Sequence, residues 1–281
     1  MDNKTSDFKD LVEFVNNSSM ANKLKKKRQK RIIIFISNII TISCLVGGGI
    51  GIKTIIDNKR DYEEALKIQE ELKNIPVTES IIYKEEEKKE EIIEEPENTY
   101  SLEQYLQKNS DTVGYLKVKG TDIDIAVVQA DNNDFYLNHD FDKKWNSMGW
   151  IFADYRNKFP NFSQNTIIYG HTYKNTIMFS SLKNVLNENW LNNPDNYIIE
   201  FNSTNKEYKW EIFSIYTIEK TSDYLDVEFN GNELIEFTNM LKNRSIREFN
   251  VEINEDDKIL TLSTCYISSK NRLVVHAKLI D

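Results

Sequence analysis

The chain has 281 residues and a formal charge of −9, with 45 Asp/Glu against 36 Lys/Arg. Residues 1–56 hold ten Lys/Arg and four Asp/Glu, a balance of +6, so the other 225 residues carry −15. The length suits one sizeable domain with appendages, and so acidic a C-terminal part argues against nucleic-acid binding through a basic face.

The first element is an apolar span. Residues 32–52 contain no charged side chain, and about 20 apolar residues at 1.5 Å each match a hydrocarbon core of about 30 Å. Gly47, Gly48, Gly49 and Gly51 lower helix propensity, but glycine is common in membrane helices. Lys23, Lys25, Lys26, Lys27, Arg28, Lys30 and Arg31 precede the span; a mixed set, Lys53, Asp57, Lys59, Arg60 and Asp61, follows it. The positive-inside rule then puts residues 1–31 in the cytoplasm and everything after 52 outside. A cleaved signal peptide is the competing reading. The long apolar run and the lack of a clean small-x-small site favour an uncleaved anchor. Cys44, within the span, reads as a small packing residue.

Residues 57–73 have helical spacing, with Tyr62, Ala65, Leu66, Ile68 and Leu72 among charges, until Pro76 interrupts. Residues 85–97 are dominated by Glu and cannot bury a core. The expectation is a solvated stalk over 53–98 and a compact domain over 99–281, opening with a short helix at 101–107.

From 113 the pattern turns to strand. Segment 113–118 is followed by the turn signal Gly120-Thr121-Asp122 and by a second strand, 123–128. Further strands are predicted at 149–152, 166–169, 197–201, 208–217, 258–264 and 272–279. Eight short strands rich in Val, Ile, Tyr and Phe suit a closed barrel or a sandwich. Helices are predicted at 177–186 and 233–244, where apolar residues recur at helical spacing.

One site carries chemistry. The strand 258–264 ends in Thr261-Leu262-Ser263-Thr264-Cys265, and Cys265 is the only cysteine outside the apolar span. Exported domains usually pair their cysteines, so a leftover thiol points to a reactive one. It attacks as its thiolate and needs a cation or base nearby. Three histidines are available. His139 lies in a polar loop and reads as a surface residue. His171 follows an apolar strand through Gly170; His276 alternates on the last strand, and either of these two can be the base. Arg272 opens that last strand, where a guanidinium can donate to the oxyanion formed when a thiolate attacks an amide.

With these residues in this order, 99–281 resembles the sortases, the cysteine transpeptidases of Gram-positive cell surfaces. The resemblance rests on the TLxTC form at Thr261 to Cys265, on Gly170-His171 after a strand, on Arg272 seven residues past the cysteine, and on the anchor layout. It implies a closed eight-stranded β-barrel with added helices behind one N-terminal transmembrane helix. It also implies Cys265 as nucleophile, His171 as general acid/base and Arg272 as stabiliser of substrate and oxyanion, with Ser263 and Thr264 lining the substrate groove. The anchor, the helix ahead of the barrel and the insert 223–257 between the sixth and seventh strands resemble class B. The short Cys265-to-Arg272 spacing implies a trimmed loop.

The resemblance further implies an extracytoplasmic enzyme that cleaves a C-terminal sorting signal after Thr. Such signals vary around Asn-Pro-x-Thr-x and Ser/Pro-Pro-x-Thr-Gly. The acyl chain then passes to a peptidoglycan amine or a pilin lysine. The partners implied are surface proteins bearing such signals, that amine and the membrane, with no nucleic acid, metal or cofactor. Two rival readings stand beside it: a membrane-anchored thiol peptidase with the same catalytic residues that only hydrolyses, and a non-catalytic surface module with Cys265 packed in its core.

Overall fold

The structure, a computed structural model, describes residues 3–75, 102–173, 177–203, 206–265 and 270–280. The Glu-rich stretch 85–97 lies outside them. The chain divides into two compact units, Met1–Lys59 and Arg60–Asp281.

Helix α1 spans Asn3–Lys73. Its stretch 32–52 presents Ile33, Ile34, Phe35, Ile40 and Ile42 more than half exposed, and it is the one helix among the described residues long and apolar enough to cross a membrane. Among the described residues of this unit, so bare an apolar face has no protein partner.

The second unit begins earlier than the sequence reading placed it. Ala65, Ile68 and Leu72, at i, i+3 and i+7, are buried in the core of the unit, and Tyr62, Leu66 and Ile75 pack against that core. Tyr105 Oη donates to Leu72 O at 3.1 Å, and Lys108 Nζ lies 3.2 Å from Glu71 Oε2. Residues 60–73 are therefore structural, and not part of a solvated stalk. The apolar stripe that reads as a helix in sequence finds a partner only in three dimensions.

A short helix α2 (Glu103–Lys108) leads into eight strands: β1 (Thr112–Val118), β2 (Asp124–Val128), β3 (Phe152–Ala153), β4 (Asn165–His171), β5 (Ile198–Asn202), β6 (Lys209–Glu219), β7 (Ile259–Cys265) and β8 (Asn271–Leu279). They close into a barrel in the order β1-β2-β3-β4-β7-β8-β6-β5, which leaves no open edge for another chain to pair with. β2 with β3 and β4 with β7 are parallel; the other neighbours are antiparallel. β4 is buried at every position, as expected of a strand covered on both faces and parallel to a neighbour.

Between strands lie the single turn α3 (Glu188–Leu191), the predicted helix α4 (Glu233–Arg244), and the 3₁₀ turns Phe135–Leu137, Ser180–Leu186 and Pro194–Tyr197. The expected helix at 177–186 is only its C-terminal part, wound as 3₁₀. α4 buries Leu234, Phe237, Thr238 and Leu241, with Glu233 and Glu236 in its first turn and Lys242 and Arg244 in its last. That arrangement complements the helix dipole.

Candidate functional site

The barrel topology brings three distant residues into one row. β4 and β7 run in register from Asn165 opposite Ile259 to His171 opposite Cys265. β7 and β8 are antiparallel, with Ser263 opposite Val274. Past that pair Leu273 N donates to the Thr264 side chain at 2.9 Å, and Arg272 lies two residues before Val274 on β8. Adjacent strands lie about 4.8 Å apart, so the backbones of His171 and Cys265 are neighbours, and Arg272 stands on the next strand of the barrel, near the same end. Each lies at or next to a strand end.

His171 is the last residue of β4, where the sequence reading had put it in the following loop. It is 2% exposed, and its Nε2 lies 2.8 Å from Leu137 O. A carbonyl can only accept, so Nε2 carries the proton and Nδ1 is the nitrogen that can exchange one. The Tyr173 ring stands 5.6 Å from the imidazole. Phe179 N donates to His171 O at 3.0 Å. Gly170 permits this closeness, since a Cβ there would meet the Phe179 ring at 2.6 Å. Met178 turns the chain with a left-handed φ of 53°, a conformation that costs a non-glycine residue about 1–2 kcal/mol.

A cleft of about 360 Å³ opens beside this row. Phe179, Leu186 and Leu273 give it apolar walls, Thr172, Thr217, Thr264 and Asn271 give it hydroxyl and amide groups, and Lys183 and Arg272 give it positive charge. No carboxylate lines it among the described residues. It therefore suits an extended peptide, with apolar side chains against the walls and carbonyl groups toward the cations.

Of the two expected groove residues, Thr264 lines the cleft, and its Oγ1 accepts from Leu273 N at 2.9 Å. Ser263 is not among the described lining residues. It is 2% exposed, and its Oγ is 3.0 Å from Tyr224 Oη. The expectation of a trimmed Cys265-to-Arg272 loop falls on 266–269, outside the described residues.

His276, the other candidate base, is fully buried. Thr261 Oγ1 donates to Asn165 Oδ1 at 2.7 Å, so at 2.9 Å it accepts from His276 Nδ1. Nε2 then accepts from Tyr216 Oη at 3.0 Å. Burial, with a smaller push from the Arg244 charge, holds this imidazole down to about 3. It stays neutral with both nitrogens engaged, a polar node of the core and no partner for a thiol. His139, stacked on Phe135 with ring centres 4.0 Å apart, is half-buried and bonded to Phe135 O.

The sequence did not disclose the Leu137 carbonyl, because a backbone acceptor leaves no residue-type signal. Tyr173 had one faint cue, its position two residues after His171. Tyr169 is also pinned, its Oη donating at 2.9 Å to the fully buried Asp154, which takes three further bonds from the backbone and guanidinium of Arg156. Burial alone would raise the Asp154 pKa, but these donors outweigh it and hold the carboxyl below its usual range. A more polar hollow of about 530 Å³, lined by α4 residues and 245–252, contains none of the row's residues.

Residues 116–280 match the family model described as the sortase domain. The chain is 30% identical over 258 residues to sortase B of Staphylococcus aureus, covering 90% of this chain and 98% of that protein. It is 37% identical over 182 residues to sortase B of Listeria monocytogenes, covering 62% and 72%. Among solved structures, a Staphylococcus aureus sortase B-substrate complex is similar with a TM-score of 0.60 at 34% identity, over 64% of this chain and 84% of that one. Sortase B of Bacillus anthracis in complex with AAEK1 has a TM-score of 0.66 at 30% identity, over 79% and 99%.

Proposed function

The chain belongs to the sortase family, class B, and on that premise we propose that it is a membrane-anchored transpeptidase that cuts a C-terminal sorting signal after Thr and joins the new acyl end to an amine. Family membership makes it a cysteine transpeptidase; the signal, the acceptor, the anchoring and the residue roles are the proposal.

The observation that carries the reading is the row His171–Cys265–Arg272 on β4, β7 and β8, beside a cleft with cations and apolar walls. Cys265 attacks the carbonyl carbon of the signal's Thr, and the carbonyl oxygen takes up the negative charge. The Arg272 fork donates to that oxygen, the kind of preorganised stabilisation that grows as charge develops. His171 Nδ1, holding the proton that the Cys265 thiol gave up, passes it to the departing amine, the C–N bond breaks, and a thioester remains. An incoming amine attacks the thioester, His171 takes its proton, and the Cys265 thiolate leaves.

For the acceptor, a peptidoglycan amine or a pilin lysine fits the same chemistry. The apolar stretch 32–52 and the basic residues before it support a single-pass anchor, with the N-terminus cytoplasmic and the barrel outside. The catalytic domain then begins near residue 60.

The test is cleavage of a sorting-signal peptide by the full-length protein. Cys265→Ala abolishes cleavage, because no other thiol lies outside the span. His171→Ala lowers it by about 10²–10⁴-fold, the usual worth of general acid–base catalysis. Unimpaired cleavage by either variant would refute the assignment.

A further inference from the structure

His171 is held by a loop, and that loop is itself fastened to α1. Leu137 O, at the end of the 3₁₀ turn, receives His171 Nε2. The next residue, Asn138, accepts from Asn146 N at 2.9 Å. Ser147 O accepts from Tyr173 Oη at 2.7 Å, and the Tyr173 ring stands against the imidazole. Residues 137–147 thus touch His171 directly at one end and through Tyr173 at the other.

Asp61 of α1 grips the middle of this loop. Its Oδ2 accepts from Ser147 Oγ at 2.8 Å and Ser147 N at 3.2 Å. Its carbonyl accepts from Asn146 Nδ2 at 2.9 Å. Asp61 is 2% exposed and Asn146 fully buried. The carboxylate also pairs with its neighbour Arg60 at 3.2 Å, an arginine whose side chain is more than half exposed. Burying a carboxylate is costly unless its oxygens are satisfied. Ala65, Ile68 and Leu72 already supply apolar docking for this helix, so the carboxylate adds direction: it fixes the backbone at 146 and 147.

We propose that Asp61 is a positioning residue for His171, acting through Ser147 and Tyr173 on one side and through Asn146, Asn138 and the Leu137 carbonyl on the other. The segment that follows the apolar span is then coupled to the alignment of the imidazole. The proposal rests on the acid/base role given to His171 above. It predicts an effect on turnover more than on substrate binding, because none of Asp61, Ser147 or Asn146 lines the cleft.

The experiment uses the full-length protein in detergent with a sorting-signal peptide, measuring kcat, KM and the thermal midpoint for Asp61→Ala, Asp61→Asn, Tyr173→Phe and the double variant Asp61→Ala/Tyr173→Phe. Asp61→Ala and Tyr173→Phe each lower kcat by about tenfold, with KM within about twofold, since small misplacements of a reacting group cost this much or more. Asp61→Asn keeps an acceptor oxygen for Ser147 and regains most of the loss. The double variant is no slower than the worse single one, as expected of two links in one path.

Normal kcat in Asp61→Ala, losses that multiply in the double variant, or a kcat loss that merely tracks the unfolded fraction would each overturn the proposal. His171→Ala is run alongside. If it keeps wild-type turnover, the role given to His171 is wrong; if it is dead while Asp61→Ala is unimpaired, only the positioning role falls.

Discussion

Removing the helical segment ahead of the barrel will destabilise the catalytic unit well beyond the loss of a spacer. Ile68 and Leu72 are 8% and 1% exposed. Fully burying such a side chain is worth about 1.5–3 kcal/mol, so the pair contributes about 3–6 kcal/mol. The Asp61 carboxylate bonds to Ser147 add about 1.5–3 kcal/mol. The conformational entropy of ordering the segment offsets part of these gains. A net loss of about 3 kcal/mol is a large fraction of the roughly 5–15 kcal/mol that holds a domain. For a unit of this size each kcal/mol moves the midpoint by about 2–4 °C, which gives a drop of roughly 6–12 °C. The assay compares thermal unfolding, by calorimetry and tryptophan fluorescence, of a chain starting at Asp57 and one starting at Asn98. Leu72→Ala in the longer chain isolates one contact and costs about 2–5 kcal/mol, as expected of a cavity in a packed core. Midpoints within about 2 °C of each other, together with a neutral Leu72→Ala, would refute the reasoning and return 57–73 to the stalk.

Burial holds His276 down to about 3 in the folded chain, against 6.5 ordinarily. Between these values the unfolded chain binds the extra proton, so stability rises with pH across that window and is fully present above it. Going from pH 7 to pH 5 costs about 2 kcal/mol through this group. His276→Gln flattens that part of a urea-unfolding profile, and equal slopes in the two proteins would contradict the burial argument. Arg272→Lys keeps the charge but loses the planar fork. Turnover falls by about 10²–10³-fold while Cys265 stays alkylatable, and near-normal turnover would reduce Arg272 to a diffuse charge. Protease added to intact protoplasts removes residues 57–281 and spares 1–30; protection of the barrel would reverse the topology.

The strand pattern was largely readable because alternation and turn residues are local. Gly120 with its φ of 71° sits where the Gly-Thr-Asp turn was expected, and β8 starts at Asn271, one residue before Arg272. The pairing of β4 with β7 was not readable. Residues 171 and 265 meet only through a parallel register set by the whole barrel, and no local pattern encodes it. His171 looked like a loop residue because Gly170 signals a break; here the glycine makes room for Phe179 while the strand continues. His276 shared the parity of Arg272 and could not be set aside by pattern alone. Its bonds to Thr261 and Tyr216 settle its surroundings. The stripe Ala65, Ile68, Leu72 was legible as a helix face, but the Glu-rich run after it hid that the face had a partner.

The central claim is that Cys265 carries the acyl chain between two amines. Intact-mass spectrometry of the full-length protein, mixed with a peptide of the Asn-Pro-x-Thr-x type, tests it directly. The account predicts an adduct of the acyl fragment on the wild-type protein and none on Cys265→Ala. Adding a peptide amine then discharges the adduct into a product joined to that amine. No adduct, an adduct that persists in Cys265→Ala, or discharge only to the free acid when amine is present would contradict it.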